Sequence, residues 1–343
     1  MKRLKIFSAA LTVAFAAVGC GNSNSYTIHG TVDGGEDIRY DSVFVMTGDV
    51  RNAAAVVDNK FVLEGSVESS IITQLEMIYV DPESGVALGT TTLPVVVEPG
   101  TISVEITGED ITIGGTPQND AIQGFNDAAD EWEERQGEWD EAVTLVKEFV
   151  FANAQTQAAV YGLTTAQNVL EDDDLMEVLN ACSEQVKQHP EVMPIVERMA
   201  ILERTCVGQP FVDFEVDTSD GVVKFSDYVG KGQVVLVDFW ASWCSPCRAE
   251  IPNVKAVYKE FKDKGLVVVG VPTSDRPEDT RRAVEQDGIP FAQIIGNERQ
   301  AIGAVAYGVR SIPHLILFDA DGTILGRGQN VESLREALTK ALQ

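Results

Sequence analysis

The spacing of apolar residues changes its rule twice along the chain. Up to about residue 115 the apolar positions come as short β-branched runs: SVFVMT, AAAVV, KFVLEGSVE, IITQLEMIYV, LPVVVEPG and TISVEI. Gly, Asp, Asn and Pro separate them, a punctuation that predicts an all-β domain. From Thr116 the period lengthens. Thr116-Pro117 reads as a cap followed by proline at the first helical position. Ile122, Phe125, Ala129 and Trp132 then recur at three and four residues, the spacing of an apolar helix stripe. Trp139, Val143 and Val146 resume the stripe beyond Gly137. Helical patterns continue over about 152–169, 172–188 and 191–204, with Pro190 marking a break.

After Cys206 the rule changes again. VVLVDFW and GLVVVGVP are apolar runs without alternation, which suits strands buried on both faces. Between them EIPNVKAVYKEFKDKG reads as a helix. DRPEDTRRAVEQDG (helix), FAQIIG (strand) and RQAIGAVAYGV (helix and turn) follow. IPHLILFDADGTILGRG predicts a hairpin turning at Asp321-Gly322, and ESLREALTKAL closes as an amphipathic helix. Strands alternating with helices and ending in a hairpin predict a mixed sheet covered on both sides. The expected architecture is therefore multidomain. A β-domain over 26–115 and a helical middle segment over 116–205 precede an α/β domain over 206–343.

The first residues stand apart from this plan. MKRLK is basic, IFSAALTVAFAAVG is apolar, and Cys20 follows at once. This is a secretory signal over 1–19, too short in its apolar core to be read as a membrane-spanning helix. The segment resembles a bacterial lipoprotein signal, which implies acylation of Cys20 and a polar tether over 20–25. Ala17 stands where that pattern prefers Leu. The resemblance implies a lipid-anchored protein on the periplasmic side of a bacterial membrane, the outer rather than the inner. With 26 Lys and Arg against 53 Asp and Glu the net charge is −27. That balance argues against a nucleic-acid partner, which requires a positive footprint.

Outside the cytoplasm, disulfides form and persist. Besides Cys20 the chain has Cys182, Cys206, Cys244 and Cys247, and the last two form a C-x-x-C in WASWCSPCRAE. Such a pair serves as a redox couple, half a zinc site or a permanent staple. Zinc needs three or four ligands. No second pair stands at ligand spacing, and His29, His189 and His314 are scattered. Neither a metal nor a cofactor is called for. The buried run ends near Trp240, so Cys244 falls at the start of the next helix. There free N–H groups and the helix dipole favour a thiolate, lowering the pKa from about 8.5 toward about 3.5–7.5. Cys247 lies one turn on, placed to resolve a mixed disulfide at Cys244. Pro246 suits the first turn, and Trp240 and Trp243 flank the pair.

Residues 207–343 resemble the thioredoxin fold, and specifically the membrane-tethered extracytoplasmic thiol–disulfide oxidoreductases of the TlpA/ResA kind. F-W-A-x-W-C-x-P-C-R-x-E-x-P matches from Phe239 to Pro252, and VGQPFVDFEV matches the family's domain entry. The stretch from about Asp275 to Ile294 looks like its inserted helix and strand. The resemblance implies a cis bond at Ile312-Pro313 beside the cysteines. It also implies a buried proton-transfer acid at Asp238, an acid at Glu250 that tunes the second thiol, protein thiols or disulfides as substrates, and an upstream membrane electron donor. Peroxiredoxins share the general fold, but their P-x-x-x-T-x-x-C motif needs Pro and Thr where Val237 and Ala241 stand. The N-terminal half resembles the β-domain preceding thioredoxin domains in Bacteroidetes lipoproteins. Two points stay open: whether Cys182 and Cys206 pair, and whether the β-domain makes this a binding or scaffold lipoprotein with an accessory dithiol.

Overall fold

The computed structural model describes residues 24–108 and 110–343. The signal over 1–19, the acylation at Cys20 and residues 20–23 of the tether lie outside the described residues. Contacts divide the chain into two compact units, one ending at Met193 and one spanning Pro194–Gln343.

Among the described residues the first unit has eight strands: β1 (Ser25–Asp33), β2 (Arg39–Thr47), β3 (Val50–Ala55), β4 (Lys60–Ser66), β5 (Ile71–Val80), β6 (Ala87–Val97), β7 (Gly100–Thr107) and β8 (Asp110–Gly114). They form two four-stranded sheets, in the orders β4-β1-β7-β8 and β3-β2-β5-β6. Alternation explains the pairing of faces. Tyr26, Ile28 and Val32 of β1 and Ile102, Val104 and Ile106 of β7 share one core with Val43, Leu75, Met77 and Val95 of the other sheet. Position 30 lies on the buried face of β1 and is glycine there, because a Cβ would run into the Phe61 ring.

Helices follow: α1 (Pro117–Glu134), α2 (Trp139–Asn153), α3 (Ala158–Val169), α4 (Asp172–Ala181) and α5 (Glu184–Lys187). Two expected helices are split. The pattern over 152–169 breaks between Asn153 and Ala158, and that over 172–188 breaks at Cys182–Ser183, where the Ser183 hydroxyl accepts the Val186 N–H and caps α5. Phe125, Phe149 and Tyr161 pack their rings together where α1, α2 and α3 meet. Buried Asn119 in α1 accepts the Val96 N–H and donates to the Val96 carbonyl, completing the edge of β6 as a neighbouring strand would.

The second unit takes most of α6 (Met193–Arg204), expected in the middle segment. Arg198 donates to the Gly308 carbonyl, and Thr205 accepts from Arg327. The remaining elements are β9 (Glu215–Thr218), β10 (Gly221–Lys224), β11 (Val234–Trp240), α7 (Ser245–Phe261), β12 (Leu266–Pro272), α8 (Pro277–Asp287), β13 (Ala292–Gln293), α9 (Ile302–Ala306), β14 (His314–Phe318), β15 (Ile324–Gly328) and α10 (Arg335–Ala341). The main sheet has the order β13-β12-β11-β14-β15. β11 runs parallel to β12 and antiparallel to β14.

VVLVDFW lacks alternation because both faces of β11 are covered. Val235, Val237 and Phe239 enter a core with Phe214, Phe225 and Tyr307, while Val234 and Leu236 pack with Val254, Val257 and Phe261 of α7. This five-stranded mixed sheet with helices on both faces is a thioredoxin-like fold. Three elements depart from expectation. FAQIIG yields a two-residue strand, RQAIGAVAYGV a five-residue helix, and the hairpin turns through Asp319–Thr323 rather than on two residues alone. Among the described residues no helix is long and apolar enough to cross a membrane.

Candidate active site

The central strand delivers the site. All seven residues of β11 are buried, and the chain leaves the sheet at Trp240 to enter α7 at Ser245. Cys244 is the N-cap of that helix, with an extended backbone, and its Sγ accepts the Cys247 N–H at 3.2 Å. Cys244 and Cys247 form a disulfide with Cα atoms 5.3 Å apart. Pro246 lies in the first turn, where a backbone N–H has no partner within the helix, so its missing donor costs nothing there.

Both cysteines are buried, Cys244 at 5% and Cys247 at 2% exposure. They pack with Trp240, Ala241, Ile251 and Ala283, and half-buried Ile312 lies against this cluster. The Ile312-Pro313 bond is cis. The Ile312 carbonyl oxygen is 3.6 Å from Cys244 Sγ. Trp243 is the opposite of Trp240: it is 59% exposed, beside the disulfide in sequence, and its indole donates to the Ser274 carbonyl.

A buried carboxyl in β11 feels the charge of a second one in α7. Asp238 is buried in β11, and its pKa is pushed up to about 7 by desolvation first and by the charge of Glu250 second. Glu250, half-buried in α7, accepts the Val331 N–H and the Asn253 amide, each at 2.8 Å.

Several partners were invisible to motif reading. The Trp240 indole donates to Gln293 Oε1 across the sheet at 2.9 Å. Arg248 pairs with Asp287 at the end of α8. Ser242 gives its N–H and hydroxyl to the Asp275 carboxylate. Each contact joins residues more than thirty positions apart, so no local spacing announces it.

The remaining cysteines are a correction to the open disulfide. Cys182 and Cys206 are both free. Cys182 is buried, its thiol pushed up to about 11 by desolvation and directed at the Val178 carbonyl; exposed Cys206 points at its own helix-end carbonyl, Glu203. Among the described residues no group of three or more His, Cys, Asp or Glu is arranged to hold a metal ion.

A C-x-x-C disulfide at the start of the helix after the central strand defines the thiol–disulfide class of this fold. Comparison with known proteins agrees. Residues 207–326 match the AhpC/TSA family, and residues 26–122 match a domain of unknown function (DUF4369). Thiol-disulfide oxidoreductase ResA of Bacillus thuringiensis (strain Al Hakam) is 30% identical over 124 residues, covering 36% of this chain and 69% of the relative. ResA of Bacillus subtilis (strain 168) is 30% identical over 109 residues, covering 32% of this chain and 59% of that relative. The thioredoxin domain of a thiol-disulfide oxidoreductase from Bacteroides vulgatus is 31% identical, covering 40% of this chain and 99% of that one, at a TM-score of 0.35. The chain thus belongs to the thiol–disulfide oxidoreductases of the thioredoxin superfamily, with that domain fused behind an N-terminal β-domain.

Proposed function

We propose that the protein is an extracytoplasmic reductase of protein disulfides, working by dithiol exchange at Cys244 and Cys247. The observation that carries this reading is the Cys244–Cys247 disulfide at the N-terminus of α7, with Cys244 beside the Ile312-Pro313 backbone. In the reduced protein the Cys244 thiolate attacks one sulfur of a substrate disulfide. A mixed disulfide forms and one substrate thiolate leaves. The Cys247 thiolate then attacks Cys244 Sγ, the second substrate thiol leaves, and the Cys244–Cys247 bond closes. Two electrons have passed from the dithiol to the substrate, and an upstream membrane donor restores the dithiol.

Each neighbour has a part. The Cys247 N–H that meets Cys244 Sγ favours the attacking thiolate. Asp238, titrating near neutrality, takes the proton from Cys247 as it attacks, and Glu250 keeps Asp238 basic. The Ile312 and Pro313 backbone offers an edge to an extended substrate chain. Trp240 shields the sulfurs from within, Trp243 meets the substrate from outside, and Pro246 restricts the loop between the cysteines. Peroxide reduction is disfavoured despite the AhpC/TSA match, since Val237 and Ala241 replace the Pro and Thr of that chemistry.

The signal-like segment supports acylation at Cys20 and attachment to the periplasmic side of a bacterial membrane, the outer in preference to the inner. The domain division at about 26–115, 116–205 and 206–343, the TlpA/ResA-like kind and the kinship of the β-domain with Bacteroidetes lipoproteins belong to the same reading. Replacing Cys247 with Ala is the test. Mixed disulfides between Cys244 and protein partners are expected to accumulate. Absence of any trapped partner, with no dithiol-dependent reductase activity in the wild type, would shift the assignment to a binding lipoprotein.

A further inference from the structure

The connection between β11 and α7 is held from one side by the segment that follows β12. The Thr273 N–H donates to the Trp240 carbonyl at 2.9 Å. Ser274, with a left-handed backbone (φ 52°), turns its carbonyl to accept both the Trp243 indole and the Arg299 guanidinium. Asp275 does the most. The residue is 6% exposed, and its carboxylate takes the Ser242 N–H at 2.6 Å, the Ser242 hydroxyl at 2.8 Å, the Thr280 hydroxyl at 2.9 Å and the Arg276 N–H at 2.9 Å.

Four donors and no acceptor surround it, the complement of a carboxylate in its acceptor-only form. All four are neutral groups, and among the described residues no basic side chain forms an ion pair with it. A buried negative charge is thus fixed to the backbone two residues before Cys244. Two residues of chain span at most about 7 Å, and with the Ser242 hydrogen bond and the Cys244 side chain added the charge lies within roughly 14 Å of Sγ. Within that range, in a partly buried setting, a unit charge still shifts a thiolate's equilibrium several-fold.

We propose that Asp275 is a positioning residue of the redox site. It pins Ser242, and thereby the strand-to-helix connection that presents Cys244, and its fixed charge opposes the Cys244 thiolate. Opposing that thiolate disfavours the dithiol relative to the disulfide, which makes the pair a stronger electron donor. The helix N-terminus pulls the other way, so Asp275 sets where the balance falls. This rests on the proposed dithiol exchange and gives that reading its direction, toward reduction.

The test equilibrates the full chain with glutathione at pH 8. Two glutathione thiols reduce the Cys244–Cys247 disulfide, giving one glutathione disulfide and the protein dithiol, and alkylation followed by peptide mass measurement gives the ratio. Asp275→Asn keeps the size and one acceptor oxygen but removes the charge. It is expected to move the equilibrium toward the dithiol by about three- to tenfold. Asp275→Glu, which keeps the charge, is expected to return it to within about twofold of the wild type while slowing exchange. A residue with a purely structural role would lower the melting temperature in both variants and leave the equilibrium unmoved, and that outcome overturns the proposal.

Should Asp275→Asn fail to fold, Thr280→Val provides the second arm. It removes one donor from the same carboxylate, leaves its charge less compensated, and should shift the equilibrium at least twofold the other way, toward the disulfide. No shift, or a shift toward the dithiol, overturns the proposal. A wild-type disulfide that neither glutathione nor dithiothreitol reduces would instead contradict the dithiol-exchange reading itself, so the two failures are distinct.

Discussion

Among the described residues Asp238 has no ion-pair partner to justify its burial, and its raised pKa has a consequence for stability as well as for the proton transfer proposed for it. An unfolded Asp titrates near ~3.9, while in the folded chain it titrates at about 7. The folded state therefore favours the neutral acid. The stability this contributes is complete below the unfolded value and is lost as pH rises through the folded one. Asp238→Asn should be close to the wild type in urea unfolding near pH 4. By pH 8 it should be the more stable of the two, by up to about 4 kcal/mol, since each unit is worth about 1.36 kcal/mol. Glu250→Gln should move the wild-type decline to lower pH by a smaller amount, because desolvation outweighs the Glu250 charge as its cause. A stability difference that stays flat with pH would show that Asp238 is not the titrating group. The position of Asp238 was legible because a lone acid inside VVLVDFW has no polar face to occupy. Glu250 was legible only through its place in the motif; its grip on the Val331 N–H, 81 residues away, was not.

Among the elements, those whose apolar pattern is set by two packed neighbours were the easiest to read. β11 and β12 are buried on both sides and appear in the sequence as unbroken apolar runs. The strands of the β-domain show the alternation of a sheet with one covered face, though β8, with only Ile113 buried among its five residues, left too little signal. The pattern over 152–169 starts too early because FANAQTQAAV keeps a helical period across the break at 154–157, and the pattern over 172–188 spans two helices, α4 and α5. β13 was overestimated, as only Ala292 and Gln293 pair with β12. That short strand nonetheless reaches the site: Gln293 crosses Gly270 of β12 to accept the Trp240 indole, and a Cβ on Gly270 would collide with the Gln293 amide. Gly270→Ala should displace Gln293, cost about 1–2 kcal/mol, and alter the tryptophan emission in the way Gln293→Ala does. Because both changes act on one contact, the double variant should cost less than the sum of the single ones. Full additivity in denaturant titration would show that the glycine is not there for the glutamine.

For the whole molecule, the division into two units assigns the leftover cysteines to different bodies, Cys182 to the first and Cys206 to the second. Native alkylation should label Cys206 readily and Cys182 only after unfolding, with Cys244 and Cys247 protected until reduction. Recovery of a Cys182–Cys206 peptide from unreduced protein would contradict the free thiols. The acidity of the chain, −27 overall, carries no reaction of its own and is consistent with a solvated surface on both units. What the molecule does rests instead on one turn of α7. The central claim is that Cys244 and Cys247 cycle, and turnover of a protein disulfide by the full chain tests it most directly. With dithiothreitol as donor and insulin as substrate, the wild type should accelerate disulfide reduction well above the uncatalysed rate, and Cys244→Ser should fall to that background. Equal rates for the wild type and Cys244→Ser would contradict the account.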